Sequence, residues 1–178
     1  MILENSKIFL TFDDGPNEYT LKILEILKNF DAKATFFVCG KNIEKFPEIA
    51  KKIIKDGHEI GNHTYSHSIN FLFPWSFKKE IEKTTQIIQK ITGVKTRFFR
   101  PPWGVLTPWL KNHLLKNGYK IILWDIDSGD WKGKISDKIF EEIKPYSILL
   151  FHDCLPTSLA LSKILTRFKK EGYVFPLL

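Results

Sequence analysis

Short apolar runs alternate with amphipathic stretches along the whole chain, and this alternation restricts the fold more than any other feature. The runs cover residues 8–12, 34–38, 58–61, 97–99, 120–124, 147–151 and 173–177. They are rich in Ile, Phe, Leu and Val, and several are continuous rather than alternating. That is the pattern of strands covered on both faces, as in a parallel sheet. Between the runs, apolar residues recur at helical spacing, with Leu21, Leu24 and Leu27 in one stretch and Ile49, Ala50, Ile53 and Ile54 in the next. Helices are predicted over 20–30, 46–55, 77–91, 108–117, 137–143 and 158–171, most of them stopped by Gly or Pro. No long linker interrupts the pattern, so residues 1–178 are expected to form one α/β domain.

An open doubly wound sheet and a (β/α) barrel both fit this order, and the polar residues separate them. Asp13 and Asp14 follow the first run, His63 the third and Arg100 the fourth. Asp127 and Asp130 follow the fifth, and His152 the sixth. Reactive side chains at the C-terminal ends of strand after strand suit a barrel mouth, whereas an open sheet gathers them at one switch point. A barrel is expected, incomplete because seven parallel strands fall short of eight. Neither GxGxxG nor GxxxxGK[ST] occurs, which argues against a nucleotide site.

The 178 residues carry a net charge of +7, with 43% apolar and 26% charged residues, a profile suited to a soluble core-forming chain. A basic surface favours anionic partners such as a cell-wall polymer. The lysines are nevertheless dispersed over predicted helix faces, as at Lys51, Lys52 and Lys55, and no nucleic-acid motif accompanies them, so no nucleic-acid partner is expected. No run of about 18 apolar residues predicts a membrane span. Residues 1–6 show no signal peptide, so the expected location is cytoplasmic unless a leader has been removed. Cys39 and Cys154 fit neither a disulfide framework nor a CxxC pair and read as ordinary thiols, with a single disulfide as the alternative.

Chemistry concentrates in five segments. Thr11-Phe12-Asp13-Asp14-Gly15-Pro16 places two acids at a strand end, where alternation points them in different directions and their repulsion calls for a cation. His63-Thr64-Tyr65-Ser66-His67 offers two imidazoles, on one helical face or converging from a turn. Two imidazoles and a carboxylate make a catalytic-type site for one divalent metal, zinc first, with other first-row ions suited to the same ligands. Arg100-Pro101-Pro102-Trp103-Gly104 is a rigid loop, and Asp127-Ser128-Gly129-Asp130-Trp131 and Leu149-Leu150-Phe151-His152-Asp153 complete the set. His152, at the end of a buried strand, is a candidate proton donor oriented by a carboxylate.

These segments, TFDDGP, HTYSH, RPPWG, DSGDW and LLFHD in that order, closely resemble the five motifs of the polysaccharide deacetylase family (NodB homology, carbohydrate esterase family four). The resemblance runs from Phe9 to Leu177. It implies a distorted (β/α) barrel and a hydrolase that removes acetyl groups from N-acetylated sugars. It further implies Asp13 as catalytic base, Asp14, His63 and His67 as metal ligands, and Arg100 as the residue that holds the base. His152 matches the acid and Asp130 the aspartate that orients it. Trp103 occupies the place of an oxyanion-stabilising backbone N–H, while Trp131 and Leu150 wall a pocket for the acetyl methyl. Two departures stand out. Trp103 replaces a common tyrosine, and Phe151 precedes the histidine where smaller aliphatic residues are common, which is expected to reshape the acetyl pocket.

Exposed Trp103 and Trp131 suit stacking on sugar rings, so a saccharide is the expected partner, with chitin oligomers, peptidoglycan strands and acetylated xylan all compatible. Two other readings fit the same residues: hydrolysis of a non-sugar carbon–nitrogen bond on the same scaffold, and a catalytically silent carbohydrate-binding protein.

Overall fold

A computed structural model of the protein describes residues 6–68 and 73–178. All but the last residue of the segment read for a signal peptide therefore lies outside the described residues. The chain order is β1 (Ser6–Lys7), β2 (Phe9–Asp13), α1 (Glu18–Asn29), β3 (Ala34–Val38), α2 (Gly40–Lys45), α3 (Pro47–Lys55), β4 (Glu59–Asn62) and α4 (Pro74–Thr92). There follow β5 (Phe98–Phe99), α5 (Pro108–Lys116), β6 (Lys120–Ile121), β7 (Ile126–Asp127), α6 (Lys138–Glu141), β8 (Ile148–His152), α7 (Leu155–Lys170) and β9 (Tyr173–Val174). No described helix is long and apolar enough to cross a membrane.

Seven strands form one parallel sheet in the order β6-β5-β4-β3-β2-β8-β7. Its edges, β6 and β7, are consecutive in sequence and bracket residues 122–125, yet they do not pair with each other. The sheet is a curled half-barrel with a seam at that point. Its seven strands are not the seven runs picked out from the sequence. The run at 173–177 leaves the main sheet and pairs in parallel with β1 instead. Ile126–Asp127, too short to register as an apolar run, supplies the seventh strand on β8. Leu123 and Trp124 extend past β6 into the seam rather than continuing it.

Register sorts the side chains into two layers. Phe12 lies opposite Phe36 on β3 and Phe151 on β8. The three rings stack at centroid separations of 5.0 and 5.6 Å and face the helices. There they join Leu24, Leu27, Ile53, Leu161 and Leu165 in the principal core. Burying such a side chain stabilises the fold by about 1.5–3 kcal/mol. Phe151 is thus fully buried on the helix side, and the expectation that it reshapes the acetyl pocket is not met, because strand alternation points it away from the cleft.

The opposite layer fills the barrel. The Arg100 guanidinium lies 4.2 Å from the Phe37 ring centroid, and Gly61 has no side chain because the Phe37 ring occupies that space. Helix ends follow local chemistry. Asn17 caps α1 with a reciprocal capping box to Thr20, and Gly93, at φ 76°, closes α4. The helix predicted over 46–55 is preceded by a short one, α2, that its mixed composition had hidden.

Candidate active site

Asp13 and His152 are the last residues of neighbouring strands β2 and β8 and are Cα partners in the register. Asp13 is 3% exposed. Its Oδ1 accepts a hydrogen bond from Arg100 Nη1 at 2.8 Å. Burial pushes the Asp13 carboxyl above the usual range, and the Arg100 charge opposes that rise. Arg100 is itself completely buried. It also donates to Thr11 Oγ1 and to the carbonyls of Ile122 and Leu123 along the seam.

Asp14, at φ 71°, turns out of the strand. Its Oδ1 lies 3.6 Å from His63 Nε2 and 3.5 Å from His67 Nε2. One ligand atom from each of the three residues falls within 4.8 Å of the others. The histidines do not share a helix. They converge from the loop after β4, where Thr64 and His67 both adopt positive φ, so the turn arrangement is the one realised.

His63 Nδ1 is 2.7 Å from the Arg100 carbonyl oxygen. A carbonyl only accepts, so Nδ1 carries the proton and the Nε2 lone pair faces Asp14. Burial holds His63 down to about 3, neutral across the working range. A neutral imidazole of fixed tautomer, a second imidazole and a carboxylate suit a divalent ion of the zinc type.

His152 is tied to Asp130 twice, with its backbone N–H at 2.6 Å from Oδ2 and Nδ1 at 2.7 Å from Oδ1. Thr157 on α7 also donates to Asp130. Burial alone would lower the His152 pKa, but the hydrogen bond and charge of Asp130, joined by the charges of Asp13 and Asp14, raise it to about 9. Burial would raise Asp130, but its bonds to His152 and Thr157 hold it low.

These residues open onto a cleft of about 380 Å³ lined by Asp13, Asp14, His63, His67, Trp103, Trp124, Asp127, Trp131, Leu150 and His152. Trp103 is 52% and Trp131 61% exposed. The Trp103 ring lies 4.3 Å from that of His67. The hydrogen bonds of its tight turn run from the Gly104 and Val105 N–H groups, and among the described residues the Trp103 N–H has no acceptor. Every residue singled out from the sequence therefore lies in or against one cleft, Arg100 and Asp130 from behind. Reading the sequence missed Trp124 as a lining residue, and it set Asp127 at the barrel mouth without giving it a role. Asp127 is the last residue of β7. Its carboxylate accepts from Trp131 Nε1 at 3.1 Å and from the Gly129 N–H at 2.8 Å. Both cysteines are free, with Cys39 Sγ 3.9 Å from Asp14 and Cys154 Sγ 3.6 Å from Asp130.

Comparison with known proteins places this geometry. The family model described as polysaccharide deacetylase matches residues 3–122. A peptidoglycan-N-acetylglucosamine deacetylase of Bacillus cereus is 39% identical over 96% of the chain and 66% of its own length. The peptidoglycan-N-acetylmuramic acid deacetylase PdaC of Bacillus subtilis is 36% identical over 95% of the chain. The chain spans just under two thirds of the first relative and 37% of the second. Among solved structures, a peptidoglycan N-acetylglucosamine deacetylase bound to a 4-naphthalen-1-yl-N-oxidanyl-benzamide superposes with a TM-score of 0.92 at 36% identity, covering 98% of this chain and 86% of that one. A family pseudoenzyme from Bacillus anthracis superposes at 0.89 with 32% identity, over 96% of this chain and 63% of its own. The chain belongs to the polysaccharide deacetylase family.

Proposed function

We propose that this protein is a divalent-metal-dependent deacetylase of N-acetylated glycans, with peptidoglycan-type strands as its substrate class. The observation that carries the reading is the Asp13–His152 register pair beside the Asp14–His63–His67 cluster, all opening onto one cleft. Relatives named as peptidoglycan deacetylases support the substrate class, and the net charge of +7 suits an anionic wall polymer.

Asp14, His63 and His67 would hold the ion, which supplies Lewis-acid polarisation and a lowered water pKa of ~7–9. Asp13, kept aimed by Arg100, takes the proton from the attacking water. The Trp103 N–H donates to the developing oxyanion, and losing one such donor typically costs about 3–4 kcal/mol in the barrier. His152, cationic at neutral pH and oriented by Asp130, gives its proton to the leaving amine. Leu150 borders the space for the acetyl methyl, and Trp103 and Trp131 offer faces for sugar rings.

A pseudoenzyme of the same fold shows that family membership alone does not guarantee turnover. Here the base, acid and ligand candidates are all present and mutually oriented, which favours activity over a silent binding role. The test is acetate release from peptidoglycan, chitooligomers and acetylxylan by the zinc-loaded protein, with and without chelator. Chelator-sensitive release from an N-acetylated glycan is expected; release from none of the three would refute the proposal.

A further inference from the structure

The loop that carries both histidines is held in a costly conformation by groups that never touch the ligand atoms. Thr64 sits at φ 68° and His67 at φ 55°. Left-handed backbone is disfavoured for any side chain and most for a β-branched one, so surrounding contacts must fix it. Those contacts account for the backbone from Thr64 to the Ser66 N–H. The Thr64 N–H donates to Asn62 Oδ1 at 2.8 Å. The Thr64 and Tyr65 carbonyls accept from the Gly40 and Lys41 N–H groups at the start of α2, both at 3.0 Å. The two remaining amides, Tyr65 N–H and Ser66 N–H, both donate to one oxygen, Glu80 Oε2 on α4, at 3.0 and 2.7 Å. The Ser66 hydroxyl reaches the same atom at 3.0 Å.

We propose that Glu80 is a positioning residue for the metal centre: by gathering three donors from the Tyr65–Ser66 segment it presets the separation and direction of His63 and His67. This inference rests on the metal-site reading above. The remaining contacts of the loop divide unevenly about it. Asn62 takes the Thr64 amide and α2 binds the Thr64 and Tyr65 carbonyls, whereas among the described residues Glu80 alone takes the Tyr65 and Ser66 amides that lead to His67. On the far side, the loop packs closely on Gly40, where a Cβ would meet Thr84 Oγ1 at 2.6 Å and Tyr65 Cδ2 at 2.7 Å. Tyr65 is further pinned by its hydroxyl bond to Glu44 and by Lys83 Nζ over its ring. With Glu80 withdrawn, the stretch before His67 loses its acceptor and must be ordered at the moment the ion binds, which weakens affinity without removing a ligand.

The test measures Zn²⁺ dissociation constants of the full metal-free chain by chelator competition, with the visible spectrum of the Co²⁺ form reporting ligand geometry. Glu80→Gln keeps the reach and an acceptor oxygen while losing charge assistance, and binding within about threefold of the unmodified protein is expected. Glu80→Asp keeps the charge but falls one methylene short, and a loss of about tenfold or more with an altered Co²⁺ spectrum is expected. Equal affinities in all three proteins overturn the proposal, as do lowered melting temperatures with unchanged affinities, which would mark a purely structural role. The reverse ranking, Gln weak and Asp tight, overturns it in favour of a charge effect. Absence of Zn²⁺ binding by the unmodified protein is a separate result that removes the metal-site reading itself.

Discussion

Arg100 Nη1 lies 2.8 Å from Asp13 Oδ1, and the same guanidinium satisfies the Ile122 and Leu123 carbonyls along the seam of the half-barrel. One side chain therefore aims the candidate base and ties β2 to the chain segment that follows β6 in the seam. The fold and the chemistry share this residue, so neither can vary there alone.

Arg100→Met is expected to destabilise the metal-free protein by about 3–5 kcal/mol, because it strands a buried carboxylate and two carbonyls. In any folded fraction the Asp13 carboxyl, already raised by burial, rises further with its opposing charge gone. Since a base works ionised, the acidic limb of kcat/KM moves to higher pH. Urea denaturation and a pH–rate profile check both effects. A loss below about 1 kcal/mol would show that the seam is held by other contacts.

Asp130→Asn removes the main group that raises His152 to about 9. The His152 pKa then falls towards its ordinary value and the alkaline limb of kcat moves down with it. A raised histidine pKa stabilises the fold fully below about 6.5 and less as pH climbs through about 9. The stability gap between parent and variant should therefore narrow across that window. Loss of the oriented acid should cost about 10²–10⁴-fold on an N-acetyl substrate, and far less on 4-nitrophenyl acetate, whose leaving group needs no proton. Equal losses on both substrates would remove proton donation from the role of His152.

Asp127→Ala frees Trp131, whose indole N–H it accepts at the cleft edge. If Trp131 serves ground-state sugar binding, KM should rise about tenfold with kcat nearly unchanged. A fall in kcat at constant KM would instead assign Asp127 to the chemical step.

The legible part of this protein was the part written in long apolar runs and in clustered polar motifs. The mainly apolar runs at 8–12, 34–38 and 147–151 announced three adjacent strands, Phe9–Asp13, Ala34–Val38 and Ile148–His152, because burial on both faces leaves few polar positions in the pattern. The edges were less legible. Ile126–Asp127 pairs through two residues and Tyr173–Val174 joins a different sheet, since short edge strands are fixed by backbone partners that composition does not encode. The motifs located the site residues, including Arg100 and Asp130 behind them, but the groups that hold Asp130 and the histidine loop stayed hidden. Thr157 against Asp130 and Glu80 against the Tyr65–Ser66 amides come from helices distant in sequence, and only the packed fold brings them together.

Asp153 follows the candidate acid but turns away beneath the Asp13–Asp14 turn. Its Oδ2 accepts from Thr20, its carbonyl from Asn17 Nδ2, and its N–H donates to the Asp13 carbonyl. Its Oδ1 is buried and has no partner among the described residues. Burial pushes the carboxyl up to about 7 against the opposing bond from Thr20. A carboxyl raised in this way stabilises the fold fully below its unfolded pKa near 3.8, and that contribution disappears as pH climbs through about 7. Asp153→Asn keeps the shape and abolishes the titration. Between about pH 4 and 7 the metal-free parent should therefore lose stability relative to the variant, by at most about 4 kcal/mol for a shift of about 3 units. An unpaired amide adds only a constant offset, so the slope is the readout. Melting curves of both proteins in chelator across that range decide the matter: parallel temperature profiles would mean that Asp153 is ionised throughout, and that its buried oxygen finds a donor in solution.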